Sequence, residues 1–224
     1  CALPISANVE PGSARLILNQ DGTVNLMVGA TEIGQGADTA FAQMVSETLG
    51  VAYESIHVIS TQDTDVTPWD PGAYASRQTY TCAPAVHAAA DELRRKILGY
   101  AAEMTGHTPA ALTVAPTAQG DAVAFARNPE SVVVTLHDLA MDSFYNKDRG
   151  GQLSAEASFK TRQNPPSFGG CFAEVEVDIE LCKIRIVHIL NVHDAGVLIN
   201  PALATAQVHG GMGKIGRASC RERV

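Results

Sequence analysis

The 224-residue chain is long enough to bury a hydrophobic core, and its 46% hydrophobic and 18% charged residues are the balance of a soluble globular protein. A formal net charge of −8 leaves no basic stripe to neutralise phosphates and argues against a nucleic-acid partner. No apolar run reaches membrane-span length and no signal-peptide pattern opens the chain; the five cysteines lack a C-x-x-C spacing, which fits a reducing, cytoplasmic setting with cysteines used as small apolar residues.

The first predicted unit is a hairpin. "ARLILNQ" and "TVNLMVGAT" alternate apolar and polar residues about Asp21-Gly22, a dipeptide suited to a tight type I′ turn. Two glycines, two carboxylates and an amide follow in "ATEIGQGAD". Asp38 is placed to cap a helix whose Phe41, Met44, Val45 and Leu49 recur at helical spacing. A short strand is expected over 55–60, then the loop "TQDTDVTPWDPGAYASRQTY", then a long alanine-rich helix over about 79–104 with its charges at 91–96.

In the middle, "LTVAPTAQGDAVAFA" reads as a second hairpin and "TLHDLAMDSFY" as a helix opened by a Thr135–Asp138 capping box. Residues 146–170 read as loop, punctuated by Gly150-Gly151 and Pro165-Pro166. A third unit repeats the first. In "CFAEVEVDIE", Ala173, Val175, Val177 and Ile179 face one way and Glu174, Glu176, Asp178 and Glu180 the other, with "KIRIVHILNV" as the returning partner. Asn200-Pro201 supplies an N-cap and first helical position for a helix to about Gly210 that carries Gln207. Hairpin, polar loop and helix thus occur twice, each helix beside a buried-looking amide. The fold class is α+β, built of repeated hairpin–loop–helix units.

Several catalytic patterns are absent: no P-loop, no strand-borne G-x-G-x-x-G, no G-x-S-x-G and no H-E-x-x-H. The seven histidines never pair with a cysteine or carboxylate at ligand spacing; His57 and His188 sit in strands, and His193-Asp194 suits a turn. Cys171 and Cys182 are read as buried apolar thiols, although a hairpin could bring them together. What remains is a set of neutral polar loops. Gly34-Gln35-Gly36 offers backbone N–H groups and an amide that both donates and accepts. "AYASRQT", residues 73–79, opens the long helix with Ser76, Gln78 and Thr79, where free N–H groups suit an anion; Gln207 is another neutral amide. Such loops are either ordinary helix starts or the clasp of a large polar cofactor.

Three ordered runs, "VGATEIGQGADTAFAQMVSETLGV", "STQDTDVTPWDPGAYASRQTY" and "LNVHDAGVLINPALATAQVHGGM", resemble the molybdenum-binding subunit of the xanthine dehydrogenase/aldehyde oxidase family, most of all its bacterial, separately encoded xanthine dehydrogenase form. The resemblance covers essentially residues 1–213. It implies a molybdopterin cofactor, in bacteria often as the cytosine dinucleotide. Gly34, Gln35 and Gly36 match the family's E-x-G-Q-G loop. Ala73, Tyr74, Ala75, Ser76 and Gln78 match the loop beside the molybdenum, and Gln207 matches the glutamine of the later helix. Asp194, Asn200 and Pro201 match a turn read as structural. The implied reaction is hydroxylation of an electron-poor ring carbon, in a purine such as xanthine or hypoxanthine, with oxygen from water. Electrons would leave through a 2Fe-2S subunit and an FAD-binding subunit. Aldehydes or other N-heterocycles are the alternative substrates, and an inactive cofactor-binding fragment is the alternative outside catalysis.

The family's catalytic glutamate lies in a G-E-P-P motif downstream of this chain, and its purine-orienting arginine and second glutamate lie upstream. No catalytic residue and no direct metal ligand is therefore assigned. Glu32 is tempting as a base but belongs to the cofactor loop, and Tyr74 stands where many relatives carry a small residue. The domain expectation is a fragment over 1–213, truncated at both ends. Residues 215–224 translate one frame of a common sequencing adapter, and its leading bases complete the Lys214 codon, so 214–224 is expected to be a non-native tail.

Overall fold

The structure, a computed structural model, describes residues 11–60, 63–74, 76–162 and 168–221, with side chains as far as residue 213. The chain forms two compact units, Cys1–Asn164 and Pro165–Val224.

The first unit opens with β1 (Pro11–Leu18) and β2 (Val24–Val28), antiparallel with Leu16 opposite Leu26 and Leu18 opposite Val24. Ala14, Leu16, Leu18, Val24, Leu26 and Val28 are all buried: period-2 alternation has put one face of the pair into the core, as expected. The turn differs from expectation. Residues 19–23 separate the strands and only Gly22 takes positive φ, whereas a type I′ turn requires it at both central residues. Asp21 instead accepts from the Thr23 backbone N–H and hydroxyl (3.0 and 2.6 Å), a side-chain route to the same reversal.

Helix α1 (Ala37–Val45) runs into one wider π turn (Ser46–Gly50) and leads to β3 (Ile56–Ile59), which pairs parallel with β2. A parallel pair needs a crossover, and α1 supplies it, burying Phe41, Val45 and Leu49. Helix α2 (Arg77–Thr105) packs on the same sheet. Its buried stripe, Val86, Ala89, Ala90, Leu93, Ile97 and Ala101, has helical spacing, while Asp91, Arg95 and Lys96 stay at the surface. Strands β4 (Leu112–Thr117), β5 (Gly120–Phe125) and β6 (Asn128–Thr135) make a second antiparallel sheet. Helix α3 (Leu136–Tyr145) follows, capped as predicted: the Thr135 hydroxyl accepts the Asp138 N–H at 3.1 Å.

Two elements escaped the sequence reading. Strand β6 extends the second hairpin. Strand β7 (Ser154–Lys160) lies inside the stretch expected to be loop and pairs antiparallel with β1, giving the order β3-β2-β1-β7. Its sequence, "SAEASFK", is polar enough to hide the period, because only Ala155 of the strand is buried.

The second unit is the hairpin β8 (Phe168–Asp178) and β9 (Lys183–Asp194) with helix α4 (Pro201–Arg221). Ala173 faces Ile189, Val175 faces Ile186 and Val177 faces Ile184 on one side; Glu174 faces His188, Glu176 faces Arg185 and Asp178 faces Lys183 on the other. Asn200 caps α4, its side chain accepting the Leu203 N–H at 3.0 Å, and the helix continues beyond Gly210. Two expectations are corrected. Cys171 and Cys182 are exposed, and they cannot meet: Cys171 pairs with Asn191 while Cys182 lies in the turn. Gln207 is exposed on α4 rather than buried.

The approach of β1 to α2 leaves no room for a side chain at Gly12, where a Cβ would stand 2.6 Å from the Thr81 carbonyl oxygen. Gly12→Ala should therefore destabilise the first unit by about 1–3 kcal/mol, seen as a lower urea midpoint of the purified chain at an unchanged slope.

Candidate functional site

The loop after β2 and the loop before α2 meet at the carbonyl oxygen of Thr31. Gln35 Nε2 donates to it at 2.8 Å and Gln78 Nε2 at 2.9 Å, and Gln35 Nε2 also donates to Gln78 Oε1 at 2.5 Å. Gln35 Oε1 accepts the Ile33 N–H at 2.7 Å. Residues 43 apart in sequence thus form one amide cluster, with Gln78 8% exposed. A neutral amide is the group that can make such a junction, since it donates and accepts at once.

Glu32 holds the first loop in shape. Its Oε1 accepts the Gly34 and Gly36 N–H groups (2.7 and 3.0 Å), and its Oε2 accepts that of Asp38 (3.1 Å). A carboxylate at the positive end of a helix is favourable on both hydrogen-bond and dipole grounds. Partial burial pushes the Glu32 carboxyl up, but the N–H groups of Asp38, Gly36, Gly34 and Ala37 outweigh it and leave it below its ordinary value. Two expectations change. Asp38 is not the cap: Gly36, left-handed, takes that position with no side-chain cap, and Asp38 donates its own N–H to Glu32. The Gly34 and Gly36 N–H groups are taken by Glu32 rather than offered to a ligand. Asp38 instead accepts the Ser60 hydroxyl at 2.7 Å, and its Oδ1 is buried without a partner among the described residues. Burial raises the Asp38 carboxyl, the Ser60 bond opposes this, and the charge of Glu32 adds to it.

The second loop is built on a buried ion pair. Arg77 Nη1 and the Gly72 N–H both donate to Asp70 Oδ1, at 2.7 and 2.8 Å. Arg77 Nη1 also reaches the Gly72 carbonyl (3.0 Å) and Nη2 the Pro11 carbonyl (2.9 Å). Cys82 donates its thiol hydrogen to Asp70 Oδ2 at 3.3 Å. Burial, reinforced by the Asp70 charge, pushes that thiol up to about 12, so Cys82 stays protonated and is no nucleophile. The end of β2 abuts this loop: a Cβ on Gly29 would lie 2.1 Å from the Pro68 carbonyl oxygen.

Among the residues expected from sequence, Gln35 and Gln78 are brought together. Gly34 is exposed, while Gly36 and Ala73 are half-buried. Tyr74 is exposed with its ring 5.8 Å from the Arg77 guanidinium carbon. Ser76 is the left-handed N-cap of α2 at φ 58°, its side chain making no cap bond. Ala75 lies outside the described residues. Gln207 belongs to the second unit. Thr31, Asp70 and Arg77 were missed, and Glu32 was placed in the loop without its capping role. The available signal was the loop's lone arginine, seven residues after the last of its three aspartates.

Among the described residues the cluster contains no activated nucleophile and no paired acid and base; what it offers is hydrogen-bond donors and acceptors. Gly34 and Gly72 border open space, with no atom within 4 Å of a Cβ built on either, so both loops present bare backbone to whatever they hold. A polar planar group with many neutral donors and acceptors, such as a pterin, fits this donor set.

The class this defines is a cofactor-binding domain. The chain belongs to the molybdopterin cofactor-binding domain family, whose sequence profile matches residues 2–216. It is 58% identical over 205 residues to the xanthine dehydrogenase molybdenum-binding subunit of Escherichia coli O157:H7, covering 92% of this chain and 27% of that protein. It is 29% identical over 207 residues to the carbon monoxide dehydrogenase large chain of Afipia carboxidovorans, covering 89% and 24%. Among solved structures, reconstituted CO dehydrogenase from Oligotropha carboxidovorans superposes with a TM-score of 0.74 at 28% identity, over 89% of this chain and 24% of that one. The chain thus spans about a quarter of the length of these relatives. Among the described residues no helix is long and apolar enough to cross a membrane.

Because Glu32 is depressed in the folded state, its contribution is fully present above the ordinary glutamate value of 4.5 and is lost as pH falls through the lower folded value. Glu32→Gln should melt below wild type at pH 7. The gap should narrow on acidification below pH 4.5, which thermal melts at paired pH values would show; a gap independent of pH would refute the capping role.

Proposed function

We propose that this chain is part of the molybdenum-binding subunit of a xanthine dehydrogenase-like hydroxylase that oxidises xanthine or hypoxanthine. The observation that carries the cofactor reading is the convergence of Gln35 and Gln78 on the Thr31 carbonyl, in loops with backbone open to solvent. The identity of 58% to a xanthine dehydrogenase molybdenum-binding subunit favours the purine branch over aldehydes or other N-heterocycles.

In this reading Gln35, Gln78 and the backbone at 73–76 hold the pterin, Gly34 and Gly36 let the first loop fold around Glu32, and Gln207 of α4 is a further amide ligand. When bound, molybdopterin supplies the molybdenum centre at which a two-electron oxidation inserts water-derived oxygen into the substrate. This chain's residues orient the cofactor: the amides exchange their mutual hydrogen bonds for bonds to it, while Glu32 keeps the loop at the start of α1 in place. No residue of this chain is assigned proton transfer. The iron–sulfur clusters of a 2Fe-2S subunit and the FAD of an FAD-binding subunit would supply the electron acceptors, and the whole would be a cytoplasmic enzyme of purine catabolism. Cytosine dinucleotide is the proposed cofactor form. We also infer that 214–224 is non-native; genomic DNA reading through these codons in the same frame would overturn this.

The complete subunit, expressed with its partners, should reduce a dye in a xanthine-dependent manner; turnover of aldehydes alone would place it in the sister branch. Gln78→Ala removes two hydrogen-bonding groups, each worth about 0.5–1.5 kcal/mol net, and should lower the molybdenum and pterin content per folded subunit about five- to tenfold. Unchanged pterin fluorescence in that variant would contradict the clasp.

A further inference from the structure

We propose that the buried Asp70–Arg77 pair is the positioning device of the cofactor loop, setting the place of Gln78 and of residues 72, 74 and 76 without touching the cofactor itself. This rests on the cofactor reading above.

Both side chains are almost wholly enclosed, 2% exposed for Arg77 and 1% for Asp70. A buried ion pair stabilises a fold poorly compared with apolar residues of the same volume, because both charges lose their hydration. This one has a geometric use. Asp70 stands at the start of the loop and Arg77 is the first residue of α2, so their bond closes residues 70–77 into a ring. From inside that ring Arg77 holds the Gly72 carbonyl with Nη1 and the Pro11 carbonyl with Nη2. Its own N–H reaches the Tyr74 carbonyl at 3.1 Å. Asp70 also holds the Gly72 N–H. The guanidinium therefore fixes the loop start, the loop middle, the helix start and the first residue of β1 at once. Only a planar fork with several donors does that, and a lysine ammonium does not.

Ser76 shows why such a frame is needed. A non-glycine residue in the left-handed region persists only where its surroundings over-determine it, and Ser76 has no side-chain cap bond to help. Gln78 is the next residue after Arg77, so an error in where Arg77 sits passes directly into the amide that meets Gln35. The described bonds of the pair go to Gly72, Pro11 and Cys82 rather than to the Gln35 or Gln78 amide.

The test uses the full-length subunit expressed with its partners, comparing wild type with Arg77→Lys and Asp70→Asn. Arg77→Lys keeps the charge but loses the fork; Asp70→Asn keeps an acceptor for Gly72 but loses the charge. Two quantities are read: amide hydrogen exchange along 70–78 and along 86–101 of α2, and molybdopterin and molybdenum per folded subunit. The proposal expects exchange along 70–78 to quicken about tenfold or more while the α2 core stays protected, with cofactor content falling about fivefold or more. Wild-type cofactor content in a folded Arg77→Lys variant overturns it. So does exchange that quickens equally through α2, or failure of both variants to fold, since either makes the pair a stabiliser of the whole unit. Were wild type itself to carry no molybdopterin, the cofactor reading would fall separately, and exchange along 70–78 alone would decide whether the pair holds the loop.

Discussion

The close seating of α2 on β1 is the constraint on which the first unit depends. A helix can lie this near a strand only if both surfaces are nearly free of side-chain bulk. The helix offers alanines at 83, 85, 89, 90 and 101, all buried, and the strand offers Gly12 and Ala14. That contact fixes where α2 begins. Its first residue, Arg77, reaches back to the Pro11 carbonyl at the first position of β1, so the start of the helix is tied to the sheet by packing and by hydrogen bond together. Gln78 and the loop leading into α2 sit within a few residues of that junction.

The two loops of the candidate site are braced by different means, each suited to its composition. The first, with two left-handed glycines at 34 and 36, has little conformational preference of its own, and a single carboxylate gathers its N–H groups. The second spans more chain and is closed by an arginine fork. Both braces are ionised, whereas the groups left facing each other, Gln35 and Gln78, are neutral. Charge builds the frame, and neutral amides form the junction between the loops. A neutral recognition edge suits a ligand read by the pattern of its donors and acceptors.

Much of this was legible from residues alone, for reasons particular to each element. The periods of β1, β2, α1, α2, β8 and β9 are strong because each buries or segregates a full face. The Thr135–Asp138 cap and the Asn200-Pro201 helix start rest on local chemistry and were correct. Strand β7 was invisible because its only buried side chain is Ala155; pairing with β1, not burial, makes it a strand. Gln35 and Gln78 were singled out one by one, but their meeting depends on a contact 43 residues apart in the chain. Glu32 was recognised as part of its loop, yet its displacement of Asp38 from the capping position depends on Gly36 adopting left-handed backbone. Asp70 and Arg77 looked like ordinary loop charges, because nothing local says that both will be enclosed.

The β8–β9 hairpin carries a different lesson. Its apolar pairs and its acid–base pairs occupy opposite faces in the same register. Sliding one strand by a single residue toward the turn would set Val175 opposite Arg185 and Val177 opposite Lys183. Sliding by two the other way would set Glu176 opposite Val187 and leave its carboxylate without Arg185. Either misalignment is penalised from both sides of the ribbon. The observed register is thus favoured on both faces at once, by apolar pairs on one and by the Glu176–Arg185 pair on the other.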